Sequence, residues 1–214
     1  MSRALAGLAL LILAACTNSA RVAGPAPEFR TDPFLDTVET RTFRWFWETT
    51  NPRNGLVPDR WPTKSFSSVA AVGFGLTAYA IGVERGYVAR ADARSRVLNT
   101  LNFFWQAPQG ASATGVAGHQ GFFYHFLDMD TGLRFQTVEL STIDTALLLA
   151  GVLLCREYFT GGDAEETAIR ALADSIYFRV DWPWASPNAP VVNMGWSPEH
   201  NFIQAEWRGY DEAM

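Results

Sequence analysis

Hydrophobic and polar positions along this chain alternate between two kinds of helix. Asp32 followed by Pro33 opens the first, an aspartate cap and then a proline where its missing N–H does no harm. Leu35, Val38, Thr42, Trp45 and Phe46 recur at the three-and-four spacing of one helical face. Residues 51–58 (NPRNGLVP) break that helix, and Trp61 with Pro62 continues the loop. Residues 65–83 differ: Val69, Ala70, Ala71, Val72, Phe74, Leu76, Ala78, Tyr79 and Ile81 leave no polar face, which predicts a buried helix. Residues 89–105 are amphipathic again, with a stripe of Ala93, Val97, Leu101, Phe104 and Trp105 and with Arg90, Arg94, Arg96 and Asn102 elsewhere. Residues 142–158 are apolar nearly throughout. Asp163 and Glu166 form a capping-box pattern for a last helix, which turns Ile169, Leu172, Ala173, Ile176 and Tyr177 inward and Arg170 and Asp174 outward.

Amphipathic and buried helices in turn are the signature of an (α/α) barrel, with an inner ring of buried helices and an outer ring with one wet face. The expected class is therefore all-α. Three helical hairpins in residues 32–214 make about half of a six-hairpin toroid. A closed ring needs about twice this length, so the chain is expected to be part of a longer protein. In such a barrel the loops that enter the inner helices gather at one end and form the pocket.

Composition narrows the function. Hydrophobic residues, at 48%, suffice for a core, whereas 14% aromatics with eight Trp exceed what a helical scaffold needs and point to a binding surface. A net charge of −5, with Lys64 the one lysine, argues against a nucleic-acid groove. The two cysteines are Cys16 and Cys155, and no internal disulfide is expected. Cys155 falls in an apolar helix and reads as an inert buried thiol. Cys16 closes a targeting signal. Arg3 starts it, residues 4–15 are apolar but shorter than the about 20 needed to span a bilayer, and Leu13-Ala14-Ala15-Cys16 resembles a bacterial lipobox. Residues 1–15 are thus expected to be removed and Cys16 to carry lipid. Residues 16–31, with Gly24, Pro25 and Pro27, read as a tether to the membrane. Thr17 after the cysteine, where an aspartate often signals inner-membrane retention, points to an outer-membrane anchor facing the periplasm or the cell surface.

Candidate chemistry concentrates in residues 118–151. Phe122, Phe123, Tyr124, His125 and Phe126 crowd a glycine-rich loop, Asp128 and Asp130 lie in a DMDTG turn, and Glu139 and Asp144 stand where an apolar helix begins. Asp144 is three residues after Ser141, a capping spacing that also aims a carboxylate out of the helix mouth, where the dipole favours its charged form. Glu139 is either a third pocket carboxylate or a solvated loop acid. A second acidic helix start, Gly209-Tyr210-Asp211-Glu212, adds Glu212, whose neighbours Asp211 and Tyr210 would raise its pKa and help bind substrate. Trp61, Phe122, Tyr124 and Trp196 are the aromatic candidates for sugar platforms, and Asp128 and Asp130 read as turn formers. His119, His125 and His200 are too scattered for a zinc motif, and no phosphate loop or nucleophile elbow is present, so no metal or cofactor is expected.

Five segments in order, TFRWFWETTNPRNGLVPDRWP, SSVAAVGFGLTAYAIGVERGY, GHQGFFYHFLDMDTG, ELSTIDTALLLAGVL and GYDEAM, together resemble the glycoamylase-like family of bacterial endo-β-1,2-glucanases and cyclic β-1,2-glucan synthase domains. The resemblance implies an (α/α)6 toroid, a lipoprotein or periplasmic setting, a β-glucan partner, and a monomer when full length. It implies inverting hydrolysis, with Glu212 on the acid and Asp144, supported by Glu139, orienting substrate or water. Two other readings fit the same residues: transglycosylation at the same site, and a non-catalytic glucan-binding lipoprotein.

Overall fold

The computed structural model describes residues 32–209. The leader, the tether, Cys16, Tyr210, Asp211 and Glu212 lie outside the described residues. Five helices form in the expected order: α1 (Pro33–Thr49), α2 (Val69–Glu84), α3 (Arg90–Gln106), α4 (Thr142–Tyr158) and α5 (Ala164–Phe178). α2 and α4 pack most extensively on each other. α1 and α3 lean on α2, and α5 leans on α3 and α4.

Glycines set the α2–α4 distance. A Cβ built on Gly73 would lie 2.2 Å from the Leu147 carbonyl oxygen, and one on Gly151 would lie 2.2 Å from that of Gly73. Backbone therefore meets backbone, an approach only glycine permits. Thr50 accepts from Tyr79 Oη at 3.0 Å at the base of α1, and Cys155 is buried beneath Leu76 with its thiol pushed up to about 12 by desolvation. That is the inert thiol expected from the sequence.

All five helices depart in part from the sequence reading, Tyr177 of α5 being exposed where its stripe should face inward. On α1, Leu35, Val38 and Thr42 are exposed, and the docking residue is Phe43. Its ring fills the notch at Gly82, where a Cβ would come within 2.1 Å, and it stacks on Trp47. The periodicity gave the right helix but a face rotated by one position. On α3, Trp105 is exposed rather than part of the stripe. On α2 and α4, which their composition predicts to be buried all round, Phe74 (55%), Ile81 (44%) and Leu154 remain exposed along one side.

The all-α expectation is corrected by two small antiparallel sheets. β1 (Ser67–Ser68) pairs with β4 (Phe126–Leu127). The second sheet runs β2 (Gly118–His119), β3 (Phe122–Tyr124), β5 (Leu140–Ser141), β6 (Gly195–Ser197), β7 (Asn201–Phe202). Strands of two or three residues are too short to display a period-two pattern. β1 runs directly into α2 and β5 into α4, so the sheets gather the N-termini of both central helices at one end. Ser68 and Ser141 cap them, accepting from Ala71 N at 3.3 Å and Asp144 N at 3.2 Å.

Gly73→Ala and Gly151→Ala should each destabilise the fold by about 1–3 kcal/mol, the usual cost of overpacking. Gly162→Ala, with open space around its Cα, should stay within about 0.5 kcal/mol of the wild type. Urea unfolding midpoints for the three variants would check this.

Candidate active site

The β3–β5 register builds the site. Phe123 faces Ser141 and Tyr124 faces Leu140, so one step further along the same ladder His125 meets Glu139. The backbone confirms it, with His125 N donating to Glu139 O at 2.9 Å. On its other side the His125 carbonyl accepts from Val69 N, the first amide of α2, at 3.2 Å. His125 is thus bound by its main chain between the mouths of the two central helices.

Its ring joins two carboxylates. Nδ1 lies 2.7 Å from Glu139 Oε1, and Nε2 lies 3.5 Å from Asp144 Oδ1. Asp144 sits in the first turn of α4 with its side chain 11% exposed, and its second oxygen accepts a hydrogen bond from Ser141 Oγ. Phe126 stacks beneath the imidazole, ring centres 3.9 Å apart at 25°. The cluster opens onto a cleft of about 830 Å³, walled by Ile143, Leu147, Met194, Ile203 and Trp207. Trp207 is anchored by Nε1 donating to Thr142 Oγ1 at 3.1 Å, and the Met194 carbonyl accepts the Thr142 N–H. The loop around residues 192–207 thereby closes the cleft against the start of α4.

The charge states follow from these contacts. Burial pushes His125 down, but the hydrogen bond to Glu139 and the charges of Asp144, Glu139 and Asp59 outweigh it and leave the imidazole above its usual 6.5. The His125 hydrogen bond holds Glu139 below its usual 4.5 against the opposing effect of its own burial. Below its raised pKa His125 is therefore an imidazolium braced between acids, and Glu139 is ionised. Such a carboxylate suits proton acceptance or substrate orientation; it is a poor proton donor. Among the described residues, no group of three or more His, Cys, Asp or Glu side chains is arranged to hold a metal ion.

The sequence-derived candidates are distributed unevenly. Asp144 and Glu139 both line the cleft, the Glu139 side chain remaining 39% exposed. Phe122 and Tyr124 are corrections: both are fully buried, Phe122 against Trp182 and Tyr124 beneath the Arg134 guanidinium, so neither presents a ring face to a ligand. All three β3 residues are buried because the strand is covered on both faces. Trp196 is also interior, packed between His119 and Trp184. Trp61 is 63% exposed but lines a different cleft. His125 and Trp207 were not among the sequence candidates. A hairpin register drawn through 123–125 and 139–141 would have found the former; the latter is marked in the sequence only by its nearness to Glu212.

No family model matches the chain. It is 28% identical over 195 residues to an exo β-1,2-glucooligosaccharide sophorohydrolase from Parabacteroides distasonis, an alignment covering 86% of this chain and 25% of that protein. Its fold matches a β-1,2-glucanase structure from the same organism with TM-score 0.73 at 28% identity, over 84% of this chain and 26% of that one. It also matches an endo-β-1,2-glucanase from Chitinophaga pinensis, solved with sophorotriose and glucose, with TM-score 0.73 at 24% identity over 84% and 44% of the respective chains. The homologues of this chain are thus β-1,2-glucan hydrolases of the glycoamylase-like group, as the sequence resemblance indicated. The chain spans about a quarter of the curated relative that it matches.

The His125–Glu139 pair should stabilise the fold within a defined pH window. A histidine raised on folding stabilises below 6.5 and loses that contribution as pH climbs through its folded value. A glutamate lowered on folding stabilises above 4.5 and loses it as pH falls through its folded value. The stability difference between wild type and His125→Asn should therefore be largest from pH 4.5 to 6.5 and shrink on both sides. Denaturant titrations across pH would measure it.

Proposed function

We propose that this chain is part of a glycoside hydrolase that cleaves β-1,2-linked glucan. The observation that carries the proposal is the pair of carboxylates, Glu139 and Asp144, joined by His125 in a cleft at the mouths of α2 and α4. Hydrolysis of a glycosidic bond needs one carboxylic acid to protonate the leaving oxygen and one carboxylate to activate water. Glu139, held ionised by His125, and Asp144, braced by Ser141, fill the second role, accepting the proton of water directly or orienting the substrate hydroxyl that relays it. Glu212 fills the first. The relatives named as β-1,2-glucanases supply the substrate class, and Trp207 offers the cleft an aromatic wall for a sugar ring.

The architecture we propose is about half of an (α/α)6 ring. α2 and α4 serve as inner helices and α1, α3 and α5 as outer ones, and the remaining hairpins cover Phe74, Ile81 and Leu154. The open apolar side of the central pair and the share of each relative that the chain spans both support this. Attachment to a bacterial membrane through lipid on Cys16 belongs to the same proposal and rests on the Leu13-Ala14-Ala15-Cys16 pattern.

Linear β-1,2-glucan incubated with the full gene product should yield new reducing ends, with the α-anomer released first when followed by NMR. Asp144→Asn, Glu139→Gln and Glu212→Gln should each lower turnover by about 10²-fold or more, the usual weight of a proton-transfer group, with glucan binding retained. No new reducing ends from β-1,2-, β-1,3- or α-1,4-glucan would overturn the hydrolytic reading.

A further inference from the structure

A second cleft, of about 570 Å³, lies beside the first and has no role in the chemistry described above. Trp61 forms part of its wall and is 63% exposed, while Phe66 and Phe135 line its depth. Leaving a tryptophan in water forgoes a large share of the burial energy that an aromatic side chain offers. Charges on this cleft come in both signs. Arg60 and Lys64 line it together with Asp128 and Asp130. Arg60 is paired with Asp59 at 2.9 Å, and Arg53 reaches Asp130 at 3.3 Å. A field balanced in this way favours neither an anion nor a cation. Aromatic faces among mixed hydrogen-bonding groups fit a neutral polyhydroxylated ring.

The two clefts are joined by an aromatic ridge. Phe135 lies 4.8 Å from Phe66, Phe66 lies 4.2 Å from Phe126, and Phe126 stacks 3.9 Å from His125, all measured between ring centres. The segment carrying Trp61 is fixed to that ridge by its backbone. Asp59 N donates to Phe66 O at 2.9 Å, Pro58 bridges to Ser67, and β1 pairs with β4, the strand that follows His125. Both ends of the loop that carries Trp61 are therefore held to the ridge by strand pairing.

We infer that the Trp61 cleft is a distal glucan-binding site, which takes a stretch of the same neutral glucan chain further along from the bond held at His125, Glu139 and Asp144. This rests on the glucan reading proposed above. Its consequence is selection by chain length: a glucan long enough to cross the Phe66–Phe126 ridge gains Trp61, and a short oligosaccharide does not.

Calorimetric titration of the protein with long linear β-1,2-glucan and with sophorotriose tests this. Trp61→Ala should weaken binding of the long glucan by about tenfold, the effect of losing one aromatic stacking contact, and leave sophorotriose affinity unchanged. Trp61→Phe, which keeps a ring, should recover most of the loss. Because Trp61 is largely exposed, both variants should melt with the wild type, and far-UV circular dichroism would verify it. Wild-type binding of long glucan with unchanged affinity in Trp61→Ala overturns the distal site alone. Equal weakening for both ligands overturns it too, placing Trp61 in the primary cleft. A wild type that binds no β-1,2-glucan of either length overturns this inference together with the proposed substrate.

Discussion

Backbone contact between α2 and α4 at Gly73 and Gly151 is the constraint on which the rest of the molecule depends. Two helices that touch through their main chains have little freedom to slide or splay, since any larger atom on either side is already in collision. That contact sets how far apart the two helix mouths sit, and the mouths carry Ser68, Ser141 and Asp144. The short sheets could not span a variable gap. β1–β4 reaches from the α2 side and β3–β5 from the α4 side, and His125 hydrogen-bonds to both through its own N–H and C=O. The site geometry is inherited from helix packing rather than made locally by the loops.

The outer helices brace this pair with specific polar ties as well as apolar faces. Glu166, which the sequence marks as a capping-box partner, instead accepts from Arg90 of α3 at 2.8 and 3.0 Å and from Gly161 N at 2.6 Å, and so fastens α5 to α3. Asp163 does the capping, accepting from Glu165 N and Glu166 N. Arg134, fully covered, holds Glu199 with two hydrogen bonds, and the resulting ion pair draws that carboxyl down to about 2. The same guanidinium lies over the ring of Tyr124, the residue before His125. A buried guanidinium needs its partner more than it contributes net stability. Its presence here fixes the position of residues 197–200 against the loop after β4.

The helices were legible in the sequence because each is long enough to show its period and several carry a recognisable cap, as Asp32, Ser141 and Asp163 do. The sheets were not, because their strands are shorter than any pattern that would announce them. The same shortness hid His125. Judged by the spacing of metal ligands it has no partners, since its partners lie across a strand pairing that only the fold reveals. Asp144 and Glu139 were legible as carboxylates at a helix mouth. The aromatic candidates divide along a line the sequence cannot draw. Phe122, Tyr124 and Trp196 are as suited to stacking as Trp61 in chemistry, but β3 and β6 are covered on both faces, whereas residues 60–64 are exposed.

Electrostatics then limit what the cleft's residues can do for one another. One imidazolium is shared by two acids, Glu139 and Asp144, so negative charge exceeds positive there, while Asp59, which also acts on it, is itself paired with Arg60. The amide termini of α2 and α4, with their partial positive charge, lie on the same side and help to hold that excess. A carboxyl in such company keeps its proton only if it is removed from both the imidazolium and the helix mouths, in surroundings that desolvate it without a cation nearby. Glu139 has neither condition, because its hydrogen bond to His125 lowers it. A proton donor in this cleft would therefore have to be a group other than Glu139. The anionic character of Glu139 at the helix mouth is a consequence of where His125 is held.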